Sequence, residues 1–163
     1  MDEIKIRHVH PSDLEECHAV EISGFPPEEA ASRETIRLRI ASFPDGFLVA
    51  EVNGRVVGIL NSAATDKEDI SDEELKQLIG HDPAGKNMVV FALAVLPEFR
   101  KRGAARRLME SFVEEARARG KKIILLLCKT HLIAYYERLG FVHTAKSSST
   151  HGGAEWHEMR RAL

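Results

Sequence analysis

Apolar and polar residues alternate along residues 4–9 of this chain, as they do in a half-buried strand, and the spacing then changes to that of a helix. Ser12 with Glu15 predicts a capping box ahead of Leu14, Cys17 and Val20 on one helical face. Pro26 and Pro27 cannot continue a helical ladder, so Gly24-Phe25-Pro26-Pro27 marks a break and a candidate substrate-facing loop. Ser32 opens a second helix carrying Ile36, Ile40 and Phe43. Residues 47–52 and 55–60 read as strands joined by Asn53-Gly54, the pair best suited to the positive φ angles of a type I′ turn. After an acidic stretch over residues 66–74, Ser71 and Glu74 predict a capped short helix with Leu75, Leu78 and Ile79, closed by Gly80 and covering a surface. Residues 88–95 are almost wholly apolar, the pattern of a central strand covered on both faces. Ala104, Ala105, Leu108, Met109, Phe112, Val113 and Ala116 recur with helical period until Gly120, and residues 123–127 form another buried strand. A last helix over residues 131–139 ends at Gly140, before closing strands at 141–146 and 155–161.

Composition adjusts this picture in three ways. With 163 residues, 44% hydrophobic and 29% charged, the chain has the size and balance of a single domain, 1–163, with a real core. A net charge of -2 supplies no global basic field, so neither nucleic acid nor an anionic membrane is expected as partner. The N-terminal residues lack the apolar run of a signal peptide or membrane span, and the only cysteines, Cys17 and Cys128, are far apart without a ligand cluster. A cytoplasmic protein with a small-molecule partner and no metal is the expectation.

Between the central strand and its helix lies Arg100-Lys101-Arg102-Gly103-Ala104-Ala105-Arg106, an Arg-x-x-Gly-x-Ala turn. A helix start presents unpaired N–H groups and the positive end of its dipole, and Gly103 with two small alanines lets a pyrophosphate approach the backbone. Five of the eight residues from Arg100 to Arg107 are basic, in a chain that is otherwise slightly acidic. By itself such a turn also fits a solvated basic helix start. It is neither a Walker A loop nor a Gly-x-Gly-x-x-Gly fingerprint.

Phe91-Ala92-Leu93-Ala94-Val95 with Arg100 to Ala105 resembles the acetyl-CoA-binding core of the GNAT superfamily of N-acetyltransferases. A second stretch, Ala134-Tyr135-Tyr136-Glu137-Arg138-Leu139-Gly140-Phe141, resembles the family's later signature, a helix bearing a tyrosine followed by a Gly-Phe step into a strand. Within that superfamily the chain is similar to the arylalkylamine (serotonin) N-acetyltransferases and their bacterial relatives. That similarity lies in Glu21-Ile22-Ser23 with Phe25, in Ala30-Ala31-Ser32 through Ile36-Arg37, Arg39-Ile40 and Phe43-Pro44, in Asp66-Lys67-Glu68, and in Leu126-Leu127-Cys128-Lys129.

The resemblance implies an α/β fold with a mixed central sheet of six to seven strands flanked by about four helices, whose splayed central strands hold acetyl-CoA. It places Leu93, Ala94 and Val95 along the pantetheine arm, and Arg100 with Lys101, Arg102, Gly103, Ala104, Ala105 and Arg106 at the pyrophosphate. Tyr136 matches the tyrosine beside the cofactor sulfur, where a phenol can donate a proton to the departing thiolate. Phe25, Pro26, Leu93, Leu127 and Tyr135 become candidate apolar walls for the acceptor.

One departure stands out. Vertebrate arylalkylamine enzymes carry two histidines on the central strand, and the matching positions here are Val89 and Phe91, which cannot accept a proton. Glu21, His131, His143, His151 and His157 are candidate substitutes, each also readable as structural, and the loop holding His151 is a candidate cover for the acceptor site. Cys128 reads as a buried wall residue, so direct transfer in a ternary complex is expected. Alternatives are an acceptor that is a peptide N-terminus, lysine, polyamine or amino acid, or a non-catalytic acyl-CoA-binding module. Monomer and homodimer both stay open.

Overall fold

The computed structural model describes residues 2–163. Its order is β1 (Lys5–His8), α1 (Leu14–Gly24), α2 (Arg33–Ser42), β2 (Phe47–Val52), β3 (Arg55–Thr65), β4 (Asn87–Val95), α3 (Ala104–Ala118), β5 (Ile123–Cys128), α4 (Ile133–Arg138), β6 (Val142–Lys146) and β7 (His157–Ala162), with short 3₁₀ turns between. Among the described residues the strands make one mixed seven-stranded sheet in the order β1-β2-β3-β4-β5-β7-β6, in which β4 and β5 are the parallel pair. The predicted strands are thus present, as are the predicted helices other than the one expected after Ser71, and the chain packs as two compact units, Met1–Ser62 with Ala92–Phe112 and Ala63–Phe91 with Val113–Leu163.

In the first unit β1 pairs antiparallel with β2, from Lys5↔Glu51 to His8↔Leu48, and β2 with the start of β3 across a two-residue turn. Asn53 and Gly54 take φ of 50° and 80°, the left-handed pair that a type I′ turn requires. The Ser12–Glu15 box does not form. A 3₁₀ turn at Pro11–Asp13 leads into α1 instead, and the Asp13 carboxylate accepts from the His10 N–H at 2.7 Å and from Arg7 at 2.8 and 3.0 Å. Asp13 wins because Arg7 on β1 reaches it, whereas Ser12 and Glu15 stay exposed. The α2 cap is as predicted, with Ser32 Oγ accepting from the Thr35 N–H at 3.1 Å.

In the second unit β4 runs parallel with β5 from Asn87↔Ile123 to Val90↔Leu126. Next β5 pairs antiparallel with β7, and β7 with the exposed edge strand β6. Ala63, Ile70, Leu75, Val89 and Leu125 form a buried cluster, against which Leu78, Phe91, Ile123 and Leu127 pack. The acidic stretch therefore covers a sheet face, as predicted, but by a 3₁₀ turn at Glu73–Gln77 capped by Asp72, whose carboxylate accepts from the Glu74 N–H at 2.9 Å. Leu78 ends it in the left-handed region at φ 62°, two residues before Gly80. The helix expected over 131–139 opens as a 3₁₀ turn at Thr130–Leu132 and becomes α-helical only at Ile133. No helix among the described residues is long and apolar enough to cross a membrane.

Candidate active site

At the end of β4 in the first unit, Leu93 is half-buried while Ala94 and Val95 are buried. A Cβ on Gly24, the last residue of α1, would stand 2.9 Å from the Ala94 Cβ, closer than carbon atoms pack. Only glycine lets the helix end approach the strand so closely. The Leu96 N–H donates to the Val57 carbonyl at 2.8 Å, anchoring the strand end. Arg100 Nε turns back to the Val95 carbonyl at 2.9 Å and fixes the start of the following turn.

The turn itself has two left-handed residues, Lys101 at φ 64° and Gly103 at φ 83°. Helix α3 makes its first backbone bond from the Arg107 N–H to the Gly103 carbonyl at 3.0 Å, so the N–H groups of Ala104, Ala105 and Arg106 precede the ladder. A Cβ placed on Gly103 would have no atom within 4 Å. The turn is therefore exposed, with N–H groups at the positive end of a 15-residue helix, donors of the kind a phosphate group could accept from.

The basic run does not act as one cluster. Arg102 lies over the Phe99 ring, 5.2 Å from its centroid, Arg107 donates to the Ile4 carbonyl, and Arg106 is within 3.8 Å of Glu110 on the solvent side of α3. Arg100 and Arg107 brace backbone, at the Val95 and Ile4 carbonyls.

Phe25 and Pro26 are half-buried at the end of α1. The loop that follows is held by Glu21, whose buried carboxylate accepts from the Ala31 N–H at 2.9 Å. Nearby Arg39 is also buried and donates to Asn61 Oδ1 at 3.2 Å. Burial pulls its guanidinium down to about 10, with the Glu21 charge opposing the fall. Glu21 thus shapes the loop.

In the second unit Tyr136 is buried on α4, with ring centroids 5.2 Å from Tyr135 and 5.9 Å from Phe141, both edge-on. Burial pushes its phenol above the usual tyrosine range, and the neighbouring Tyr135 and Cys128 add to the rise. The phenol stays protonated and able to donate. Burial likewise pushes the Cys128 thiol up to about 11, leaving little thiolate at neutral pH. Tyr135 and Leu127 are half-buried, Leu127 against the cluster that also takes Val89 and Phe91.

The histidines sort themselves by contact. His131 is exposed. His151 Nδ1 lies 3.0 Å from Glu73, and its carbonyl accepts from Trp156 Nε1 at 2.8 Å, so the His151 loop is pinned against the 3₁₀ turn of the acidic stretch. His157, opposite Cys128 in the β5–β7 ladder, has Nε2 at 2.9 Å from Thr130 Oγ1 and Nδ1 at 3.0 Å from His143 Nε2. Thr130 is the residue that sequence reasoning missed. No local spacing signals it, because its partner is 27 positions away and reaches it only through the adjacency of β5 and β7.

The model of the Acetyltransferase (GNAT) family matches residues 14–141. This chain belongs to the GNAT acetyltransferase family. It is 29% identical to the uncharacterized N-acetyltransferase YkwB of Bacillus subtilis over 68% of this chain and 54% of that protein. It is 26% identical to the serotonin N-acetyltransferase of Mesocricetus auratus over 68% of this chain and 52% of that one. The chain thus spans about half the length of these two curated relatives. In fold it is similar to the GphF GNAT-like decarboxylase in complex with isobutyryl-CoA, with a TM-score of 0.84, 20% identity and coverage of 97% of this chain and 98% of that one. The matched GNAT region takes in Leu93 to Val95, the Gly103 turn and Tyr136.

Proposed function

We propose that the protein is an acyl-CoA-dependent N-acetyltransferase that moves an acetyl group from acetyl-CoA to a primary amine, with a small aryl- or alkylamine as acceptor. The observation that carries this reading is the Gly103 turn, an open, left-handed, N–H-lined anion cradle at the head of α3 in a chain of the GNAT family. Its N–H groups from Lys101 to Arg106 hold the pyrophosphate, and the backbone of Leu93 to Val95 pairs with the pantetheine. An N–H near Leu93 stabilises the oxyanion that develops on the thioester carbonyl. Tyr136 gives its proton to the leaving thiolate. Phe25, Pro26, Leu93, Leu127 and Tyr135 are the acceptor's apolar walls.

Two observations narrow the chemistry. A Cys128 thiol pushed up to about 11 is a poor nucleophile at neutral pH, which favours direct transfer over an acyl-cysteine. Much of the acidic stretch is engaged by its own surroundings. Glu68 pairs with Arg160, Asp72 with Lys67, and Glu73 with both Lys76 and His151, while Asp66 accepts from the Lys86 N–H. That disfavours a polycation such as a polyamine as acceptor.

The deciding experiment follows thiol release from acetyl-CoA with phenethylamine, tryptamine, polyamines, amino acids and short peptides, and measures acetyl-CoA binding in parallel. Turnover dependent on the arylalkylamines is expected. Turnover only with peptides or amino acids would move the acceptor class, and tight binding without turnover would make the chain a CoA-binding module.

A further inference from the structure

Thr130, His157 and His143 form one unbroken hydrogen-bonded path in the second unit, 2.9 Å from Thr130 Oγ1 to His157 Nε2 and 3.0 Å from His157 Nδ1 to His143 Nε2. Both ends are exposed, whereas the central imidazole is 9% exposed. The path admits two proton assignments, each the reverse of the other; in the one a relay uses, Thr130 donates to Nε2 and His157 donates from Nδ1 to Nε2 of His143. That is the arrangement of a relay from a surface hydroxyl, through a buried imidazole, to a second imidazole at the surface.

Backbone pairing orders the strands that carry His157 and His143. The ladders from Ile123↔Ala162 to Cys128↔His157 and from Val142↔Arg160 to Lys146↔His157 already set their register. The path's central imidazole shares a sheet face with a neighbour of the candidate acid. Directly opposed residues of an antiparallel pair present their side chains on one face, so His157 shares a face with Cys128, and Cys128 acts electrostatically on the Tyr136 phenol.

We propose that Thr130–His157–His143 is the proton exit for the acceptor amine. The inference rests on the acetyltransfer reading above and supplies the base that Val89 and Phe91 do not. An alkylammonium with a pKa near that of lysine, about 10.4, is almost wholly protonated at neutral pH and cannot attack. Its first proton passes to Thr130 Oγ1 while the hydroxyl proton moves to His157 Nε2. The Nδ1 proton of His157 moves to His143 and leaves to water. The freed nitrogen lone pair then forms the C–N bond as the C–S bond breaks. The thiolate takes the Tyr136 proton, and the second nitrogen proton restores the phenol. One ammonium and one thioester thus yield an amide, a thiol and one proton released to solvent.

Among the described residues, the charged and titratable groups facing His157 include Glu155, whose carboxylate is 3.9 Å from Nε2, Lys146, which opposes it in the ladder and pairs with Glu155 at 3.2 Å, the Cys128 thiol and His143. Lys129 precedes Thr130 in the chain.

The test compares wild type with Thr130→Val, Thr130→Ser and His157→Gln, using phenethylamine, which is protonated at pH 7, and O-benzylhydroxylamine, which is already neutral there. With phenethylamine, Thr130→Val and His157→Gln should each lose about a hundredfold in kcat/KM. Thr130→Ser should keep the wild-type value. With the neutral nucleophile all four proteins should turn over at similar rates, and acetyl-CoA affinity should not change. Equal losses with both nucleophiles, or no loss with phenethylamine, would overturn the relay while leaving acetyltransfer standing. A wild type that turns over neither nucleophile would overturn the arylalkylamine acceptor and the relay with it. Circular dichroism checks that each variant folds, and Thr130→Ala stands in for Thr130→Val if the latter does not.

Discussion

A single buried hydroxyl carries the sharpest prediction. Tyr136 has aromatic rings edge-on at two sides and a phenol held above its usual range by burial. As the acid it must donate to sulfur, a role phenylalanine cannot fill, while its ring contacts survive the change. Tyr136→Phe should therefore lower kcat at least tenfold with little change in acetyl-CoA affinity. Stopped-flow thiol release and equilibrium binding check the two halves, and an unchanged kcat would remove Tyr136 as the acid. The raised value adds a pH consequence: no basic limb from Tyr136 ionisation should appear in the kcat profile below about pH 10. The helix that carries Tyr136 was legible in the chain because that helix and the Gly-Phe step after it are contiguous. The engagement of Arg100, Arg102 and Arg107 by Val95, Phe99 and Ile4 was not, since a run of basic letters does not say which side chains fold back onto their own backbone.

Between β4 and α3 the decisive property belongs to the turn. Gly103 sits at φ 83° with open space where a side chain would begin, so a substitution there meets backbone strain of about 1 kcal/mol or more rather than a clash. Gly103→Ala should weaken acetyl-CoA binding through that strain alone. Gly103→Glu adds a carboxylate beside the N–H cradle and should reduce affinity by at least a hundredfold, measured by calorimetry; normal binding by the Glu variant would move the phosphate site elsewhere. The two helix starts that the chain misplaced share a cause. Ser12–Glu15 and Ser71–Glu74 have capping-box spacing, yet Asp13 and Asp72 supply the acceptors, because a cap is chosen by where the preceding turn directs its N–H groups. For Asp13 the extra partner is Arg7, brought close by β1 and by no local pattern.

Across the whole molecule, that same contact couples stability to pH. Burial opposes ionisation of Asp13, but the Arg7 hydrogen bonds and the His10 N–H outweigh it and leave its carboxyl below its ordinary value. A folded-state value below the unfolded one means that the folded protein holds fewer protons between the two. The stabilisation is thus complete above the unfolded carboxylate value of about 4 and is lost as pH falls through the folded value. Asp13→Asn should cost about 2 kcal/mol at pH 7, and its difference from wild type should narrow below about pH 3; urea unfolding at both values measures it, and a constant gap would remove Asp13 as the source. By itself the amino-acid sequence determined the strands and helices, through hydrophobic period and the Asn53-Gly54 and Gly103 turns, together with the contiguous motifs of the GNAT family. Those features depend on neighbours within a few residues, whose backbone preferences act before any tertiary contact exists. Only the tertiary structure decided that Thr130, His157 and His143 share a path, that Glu21 braces a loop, and that the acidic stretch is met by Arg160, Lys67, Lys76 and His151. Most of these partners lie far apart in the chain, β7 entering the sheet between β5 and β6 among them. Such contacts form only when long loops close, and no local periodicity records which of them do.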